Sequence, residues 1–360
     1  MNEHDDARSG PLCGLRVLEF AGIGPGPHCA MLLADMGAEV LRIEREGGNG
    51  WPNPVVDRGR KTLTLDIRSV AGRERCLTLA VDADVLIEGF RPGVMERLGL
   101  GPDELLARNP RLIYGRMTGW GQTGPLARAA GHDINYIALT GALAAIRGES
   151  GTAIPPLNLV GDFGGGSLYL AVGILAALWE RERSGQGQVI DAAIVDGVSS
   201  LMTFFAGLLP SGRIDMQRER NPLAGAAPNY RCYRCADGRE IAIGPLESQF
   251  WHELLERIDA PKALWAGCAD PGEWPVQSEL LERLFATRTR AEWCALLEGS
   301  DACFAPVLEL EEAAQHPHLR QRGVYQDVEG VLQAAPAPRF SRTPGKARRT
   351  LRCGAEEGWD

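Results

Sequence analysis

A histidine and an aspartate are the residues of this chain whose types and surroundings best suit proton-transfer chemistry. His132 precedes an apolar stretch in GHDINYIALTGALAAI, and Asp162 lies in PPLNLVGDFGGGS. Imidazole and carboxylate are both general acid/base groups. Each residue also has a simpler interpretation, because a histidine at the head of a helix is usually a surface or capping residue and an aspartate is a common N-cap. Either residue taken alone therefore fits a structural role.

The three glycines that follow Asp162 favour a site at this point. Gly164, Gly165 and Gly166 weaken the start of a helix unless the backbone must come close to another group. Free backbone N–H groups at such a helix start can bind an anion or an enolate oxygen. We therefore expect the amides near Asp162 and Gly164 to face a ligand.

A second glycine-rich loop, GIGPGP from Gly22 to Pro27, follows a predicted strand, and Glu44 stands about twenty residues further on. This spacing invites a dinucleotide-binding interpretation. The third glycine of that fingerprint, which helix packing needs, would fall three positions after Gly24, where this chain has Pro27. The loop is therefore better interpreted as a close-packed turn between strand and helix, near the ligand.

The cysteines do not indicate a metal site. Nine of them are scattered along the chain, and only Cys232 and Cys235 form a CxxC pair. That pair lies in a predicted hairpin around Asp237 and Gly238, where residues three apart point to opposite faces of a strand. We expect reduced thiols and no metal.

Composition narrows the class of protein. The chain has 360 residues, 44% of them hydrophobic and 24% charged, with a net charge of -9. An acidic balance argues against nucleic-acid binding, which needs a concentrated basic face. The start, MNEHDDARSG, lacks the basic and apolar regions of a secretory signal, and no run reaches the roughly 20 apolar residues of a membrane span. We expect a cytoplasmic protein that does not bind membranes.

The order of predicted elements indicates an α/β fold. Apolar strands alternate with helical segments from Leu15 onward, which predicts a mainly parallel sheet in a Rossmann-like, doubly wound large domain. A hairpin and short amphipathic helices later in the chain predict a smaller α+β domain. The predicted boundaries are 1–207 for the large domain, 208–228 for a linker, 229–307 for the small domain and 308–360 for a C-terminal segment that returns to the large domain.

Several longer blocks resemble a known family. They are GLRVLEFAGIGPGPHCAMLLADMGAEVLRIE, ADVLIEGFRPGVMERLGLG, MTGWGQTGP, GHDINYIALTG, NLVGDFGGGS, APVL and PAPRFSRTPG. Together they cover nearly the whole chain, and they resemble the family III CoA-transferase superfamily, most closely its α-methylacyl-CoA racemases. This resemblance implies an interlocked homodimer with a CoA-binding large domain, an acyl-CoA substrate and no separate cofactor, since coenzyme A is part of the substrate.

The resemblance also assigns roles. In the transferases an aspartate at the position of Asp162 is the nucleophile, whereas the racemases pair that aspartate with a histidine, at the position of His132. Glu247 matches a glutamate that bonds the histidine from the partner subunit, and Asp133 and Asn158 match further polar residues of the active site. The implied reaction moves the α-proton of a 2-methylacyl thioester through an enolate, with His132 serving the S face and Asp162 the R face.

Coenzyme A would bring phosphates to an acidic protein, so basic residues must meet them. The candidates for contact are Arg42, Arg58, Arg60, Lys61 and Arg91, and the run from Arg58 to Lys61 fits a solvated basic loop equally well. Three rival functions stay open: a CoA transferase with Asp162 as nucleophile, an NAD-dependent dehydrogenase built on the Gly22–Gly26 loop, and a catalytically silent CoA-binding protein.

Overall fold

A computed structural model describes residues 9–48, 50–354 and 358–359 of the chain. Its contacts divide the described residues into two compact units. The large unit comprises Met1–Ala142, Pro156–Leu201 and Arg320–Asp360, and the small unit comprises Leu143–Pro155 and Met202–Leu319. Each unit is built from several stretches of the chain, which the predicted boundaries did not anticipate for 143–155 or 308–319.

The elements are numbered along the chain. The strands β1 to β12 are Arg16–Phe20, Glu39–Glu44, Arg60–Thr64, Val85–Glu88, Ile113–Thr118, Gln188–Ala193, Arg231–Arg234, Glu240–Ile243, Phe304–Pro306, Tyr325–Val328, Val331–Ala334 and Leu351–Arg352. The helices α1 to α14 are Pro25–Asp35, Val70–Val81, Val94–Arg97, Pro102–Arg108, Asp133–Leu139, Ala142–Ala145, Leu168–Ser184, Ile194–Leu201, Thr203–Leu208, Ser248–Arg257, Trp274–Phe285, Arg290–Leu297, Leu310–Gln315 and Pro317–Gln321. A π-helical stretch, Leu159–Ser167, runs directly into α7 and is called the π segment below.

The large unit is organised by a seven-stranded sheet in the order β12-β3-β2-β1-β4-β5-β6. Every neighbouring pair is parallel. The order 3-2-1-4-5-6 is that of doubly wound dinucleotide-binding folds, in which ligands bind where the strand order reverses, between β1 and β4. The predicted α/β class with a parallel sheet is confirmed.

The central strands of this sheet bury side chains on both of its faces. Leu86 of β4 packs in a core cluster with residues of α2, including Leu77 and Leu79. The next residue, Ile87, points to the other face, where it approaches Gly26 of α1. Alternating residues of a strand face opposite ways, so strands buried on both sides are mostly apolar, and a buried polar residue such as Glu19 of β1 has an ion-pair partner, Arg60.

The glycines after Asp162 allow the π segment to pack closely. A Cβ added to Gly165 would lie 2.5 Å from the side chain of Val198 in α8, and one added to Gly166 would lie 2.9 Å from Pro25 in α1. The glycine run therefore serves packing between helices. The continuous helix Leu159–Ser184 is also long and apolar enough to cross a membrane, with 39% of the tested stretch buried. From its sequence this stretch is predicted to be a long apolar helix that falls short of a membrane span, and the expectation of no membrane contact stays a prediction.

The small unit contains an antiparallel sheet of β7, β8 and β9 beside α10, α11 and α12. The hairpin of β7 and β8 turns at Asp237 and Gly238, as predicted. The stretch 143–155 belongs to this unit, and its Glu149 forms an ion pair with Arg231 of β7, with 3.1 Å between nitrogen and oxygen.

The C-terminal residues complete the large unit. Strand β12 pairs with β3 at the edge of the sheet. Trp359 is buried in the core, and its indole N–H donates to the carbonyl of Leu79 at 3.1 Å. The chain therefore returns to the large unit from Arg320 onward.

Candidate active site

A cavity of about 1200 Å³ opens in the large unit where the strand order reverses. Its walls are the loops that follow the strands β1 to β5, the start of α5, and Asp162. Ligand sites of open α/β sheets lie in this position, outside the carboxyl ends of the strands. The cavity is therefore the candidate active site, and both His132 and Asp162 line it.

Asp162 lies in the π segment, with its carboxylate against the glycine loop that follows β1. A Cβ added to Gly24 would lie 2.9 Å from Oδ2 of Asp162, and Gly24 has a φ of 72°. Burial raises the pKa of Asp162 to about 6; the charge of Asp133 adds to the rise, and that of His132 opposes it. A carboxyl group with such a pKa can act as an acid or a base near neutral pH.

Asp133 holds the backbone around Asp162. Its Oδ2 accepts a hydrogen bond from the N–H of Asp162 at 2.6 Å. Gly161 lets this carboxylate approach, since a side chain at Gly161 would overlap it. Burial also raises the pKa of Asp133. The bond occupies the Asp162 amide, so this amide is not a free donor for an enolate oxygen.

His132 begins the helix α5 from the N-cap position. Its backbone is extended there, and its N–H donates to Oδ1 of Asn135 at 3.0 Å. The residue is exposed, and it lies close enough to Asp162 for its charge to lower the pKa of that carboxyl group. The structure thus brings the histidine and aspartate of the sequence analysis to one cavity.

His28 packs against the π segment that carries Asp162, and the sequence did not indicate this role. Its ring stacks on Phe163 with 4.1 Å between centroids, and its Nδ1 lies 2.7 Å from Oγ of Ser167. Burial, reinforced by the nearby charges of Arg58 and Arg60, lowers the pKa of His28 to about 4. It therefore stays neutral at physiological pH and acts as an aromatic packing group beside the π segment.

Three of the predicted phosphate-binding arginines are buried in ion pairs. Arg42 contacts Asp57 at 2.5 Å, Arg58 contacts Asp35 at 2.5 Å, and Arg60 contacts Glu19 at 2.7 Å. None of these arginines is more than 5% exposed. Lys61 forms an ion pair with Glu39 at 3.2 Å. These four residues do not line the cavity, so they are not carried into the proposed CoA site.

The cavity instead presents Arg91, which the sequence analysis named, and three arginines that it missed, Arg45, Arg68 and Arg97. Arg45 directly follows β2, Arg68 lies just beyond β3, and Arg91 lies just beyond β4. Their position after the carboxyl ends of parallel strands was the available signal, because those ends meet at one edge of the sheet.

Three further predicted residues lie elsewhere. Asn158 precedes the π segment, and its carbonyl accepts from Phe163 N–H at 3.1 Å. Gly164 lies inside the π segment. Neither residue lines the cavity. Glu247 is an exposed residue of the small unit, at the N-cap of α10.

No group of three or more histidine, cysteine, aspartate or glutamate side chains within the described residues is placed to hold a metal ion. Cys232 is exposed, whereas Cys235 is buried. The two thiols are thus oriented differently, as the hairpin interpretation predicts.

Comparison with known proteins places the chain in a family. The model of CoA-transferase family III matches residues 12–351. The chain belongs to CoA-transferase family III. The resemblance stated from the sequence blocks is confirmed.

Named relatives of this family III chain are similar over most of their length. The α-methylacyl-CoA racemase of Mus musculus is 45% identical over 334 residues, which cover 92% of this chain and 87% of the relative. The enzyme of the same name from Homo sapiens is 42% identical over the same shares. This name matches the predicted enzyme class.

A solved structure supports the fold of this family III chain. A CaiB/BaiF family protein from Brucella suis superposes with a TM-score of 0.83 at 28% identity, covering 98% of each chain. The large parallel sheet and the smaller unit therefore belong to an architecture already seen by crystallography.

Proposed function

We propose that this chain is an α-methylacyl-CoA racemase that interconverts the (R)- and (S)-2-methylacyl-CoA thioesters. The observation that carries the proposal is the pair of His132 and Asp162 on the walls of one cavity, with the pKa of Asp162 raised to about 6. The names of its relatives from Mus musculus and Homo sapiens support the same activity.

The proton balance needs one group on each face of the α-carbon. From the S substrate, the neutral imidazole of His132 removes the α-proton and the protonated carboxyl group of Asp162 returns one to the opposite face. The turnover leaves His132 protonated and Asp162 ionised, which is the state that accepts the R substrate. A carboxyl pKa of about 6 makes both forms of Asp162 accessible near neutral pH.

The enolate oxygen requires directed donors. We expected amides near Asp162 and Gly164, but Asp162 N–H already donates to Asp133. The N-terminus of α1 is the better candidate. Gly24, Pro25 and Gly26 line the cavity there, and this eleven-residue helix directs the positive end of its dipole toward it. The two prolines of its first turn lack N–H groups, so the N–H groups of Gly24 and Gly26 are the donors that remain on this wall.

Arginines that line the cavity suit the phosphates of coenzyme A. Arg45, Arg68, Arg91 and Arg97 stand on the walls near the ends of β2, β3 and β4. Guanidinium groups bind phosphate oxygens in a bidentate manner. Coenzyme A is then part of the substrate, and no separate cofactor takes part.

The chain acts as an interlocked homodimer in which Glu247 of one subunit orients His132 of the other. Asp133 supports the backbone of Asp162, and Asn158, which lies outside the cavity walls, supports the start of the π segment through its carbonyl. The enzyme works in the cytoplasm, without membrane or nucleic-acid partners.

Proton exchange in deuterated water tests the reaction. (R)- and (S)-2-methylacyl-CoA are each incubated with the wild type, His132→Ala and Asp162→Ala, and deuterium at the α-carbon is followed by mass spectrometry. We expect exchange and inversion from both enantiomers in the wild type, with losses of at least about a hundredfold in each variant. A parallel incubation with a free carboxylic acid that produces a new acyl-CoA would instead establish a transferase.

A further inference from the structure

Tyr136 lines the cavity one helical turn after His132, and nothing in its sequence context marked it as functional. Its half-buried ring sits between two glycines of neighbouring loops. A Cβ added to Gly131 would lie 2.8 Å from Cε1 of Tyr136, and one added to Gly119 would overlap the ring. These glycines leave the space that the ring fills.

The hydroxyl group of Tyr136 donates to the carbonyl of Gly131. That carbonyl belongs to the peptide group that joins Gly131 to His132. The N–H of the same peptide group, on His132, donates to Oδ1 of Asn135. Two consecutive side chains of α5 therefore bond the two polar ends of one peptide plane.

Trp120 holds the ring from a second direction. The rings of Trp120 and Tyr136 are 4.7 Å apart and nearly perpendicular, at 83°. Such edge-to-face pairs contribute roughly 0.5–1.5 kcal/mol beyond the area they bury. The indole nitrogen of Trp120 is buried and has no hydrogen-bond partner among the described residues, so the ring contact is what orients it.

We propose that Tyr136 is a positioning residue for His132, which fixes the Gly131–His132 peptide plane and with it the direction in which the imidazole enters the cavity. The proposal rests on the proposed function. His132 is exposed, and the bonds from Tyr136 and to Asn135 fix the peptide group from which its side chain extends. Misplacement of a catalytic group by about 1 Å can cost a hundredfold in rate.

The test compares Tyr136→Phe with a matched control, Tyr233→Phe. Tyr233 also donates its hydroxyl to a backbone carbonyl five residues earlier, that of Pro228, but it lies in the small unit and outside the cavity walls. In Tyr136→Phe we expect kcat for racemisation of the CoA thioester to fall about ten- to a hundredfold, while KM changes less than about twofold. Tyr233→Phe is expected to lower Tm without lowering kcat.

Asn135→Ala provides a second route to the same peptide group and is expected to lower kcat in the same way. An unchanged kcat in Tyr136→Phe, or a KM that rises by the factor by which kcat falls, overturns the positioning role. An equal fall of kcat in Tyr233→Phe overturns it too, because the effect would then be general destabilisation.

A spectroscopic measurement separates this inference from the proposed function. The chain has six histidines, so the imidazole nitrogen signals of a ¹⁵N-histidine-labelled protein are few, and His132→Ala assigns the relevant one. Tyr136→Phe should shift and broaden that signal, whereas Tyr233→Phe should leave it in place. If the wild type does not exchange α-protons, the proposed reaction is wrong, and the histidine signal still decides whether Tyr136 positions His132.

Discussion

The cavity holds its two proposed acid/base side chains, those of Asp162 and His132, in different ways. Asp162 lies in a tightly packed helix, where Gly165 and Gly166 admit neighbouring side chains and the carboxylate touches the Gly24 loop. His132 is exposed at the start of a short helix, and side-chain hydrogen bonds hold its peptide group. Packing, together with the hydrogen bond from its N–H to Asp133, thus holds the aspartate, whereas hydrogen bonds of its peptide group hold the histidine.

This difference has an energetic consequence. Burial raises the pKa of a carboxyl group because the charged form loses hydration, and a neighbouring carboxylate raises it further. Burial and Asp133 therefore bring the pKa of Asp162 to about 6, where it can exchange protons at neutral pH. Ionised Asp162 therefore lowers the free energy of unfolding, whereas the exposed His132 is not buried at such a cost.

The largest expected effects are the activity losses on replacing Asp162 or His132, and the two replacements should differ in their effect on Tm. Asp162→Asn and His132→Asn should each reduce racemisation by about a hundred- to ten-thousandfold, because each removes one of the two acid/base groups. Above pH 6, however, Asp162→Asn should raise Tm, whereas His132→Asn should change it little. Calorimetry of both variants at pH 7.5 checks this contrast.

The sign of the stability effect follows from proton linkage. The pKa of Asp162 is raised from 3.8 in the unfolded reference to about 6 in the folded chain, so between these values the folded chain binds more protons and its stability falls as pH rises. The difference in Tm between Asp162→Asn and wild type should therefore disappear near pH 4. A difference that persists there would show that charge is not its cause.

The second prediction concerns the contact between the glycine loop and Asp162. Gly24→Ala puts a Cβ 2.9 Å from the carboxylate at a backbone position with φ 72° and ψ -124°, which L side chains rarely adopt. We therefore expect kcat to fall about ten- to a hundredfold, with a loss of roughly 1–3 kcal/mol in unfolding free energy. Gly238→Ala is the control, since Gly238 has a similar φ of 75° and open space at the Cβ position. Steady-state kinetics and urea unfolding of both variants measure the difference. Equal kcat values in the two variants would show that the contact between Gly24 and Asp162 does not affect catalysis.

The smallest expected effect is that of the Asp133 charge on the pKa of Asp162. Asp133→Asn keeps an oxygen that can accept the Asp162 N–H but removes the neighbouring charge, so the pKa of Asp162 should fall below about 6. For the (R)-substrate, from which ionised Asp162 removes the proton, the acidic limb of the kcat/KM profile should move to lower pH by less than about one unit. Asp191→Asn, which alters a carboxylate that accepts the N–H of Gln122 at 3.0 Å, should leave the limb in place. A limb that does not move in Asp133→Asn would assign it to another group.

Much of the fold followed from pattern alone. Apolar runs such as that of β4 and the glycine turns between strands and helices predicted a parallel sheet, because a strand buried on both faces cannot alternate with polar residues. The division into units was harder to predict. The stretch 143–155 joins the small unit through contacts such as that between Glu149 and Arg231, which are 82 positions apart, and local pattern carries no information on such pairs.

For the candidate site, too, the sequence identified some residues and the tertiary structure identified others. The sequence by itself determined that His132 and Asp162 are the acid/base candidates, that Arg91 follows a strand end, and that the chain resembles family III, since residue type, spacing and motif are all properties of the linear chain. Only the tertiary structure decided which arginines reach the cavity. Arg58 and Arg91 carry the same charge, but Asp35 and Gln333, which lie 23 and 275 positions from Arg58, bury it. The tertiary structure also placed Asp133 beside Asp162 and the ring of Tyr136 beside Gly131, because solvation and charge depend on neighbours that the fold brings together.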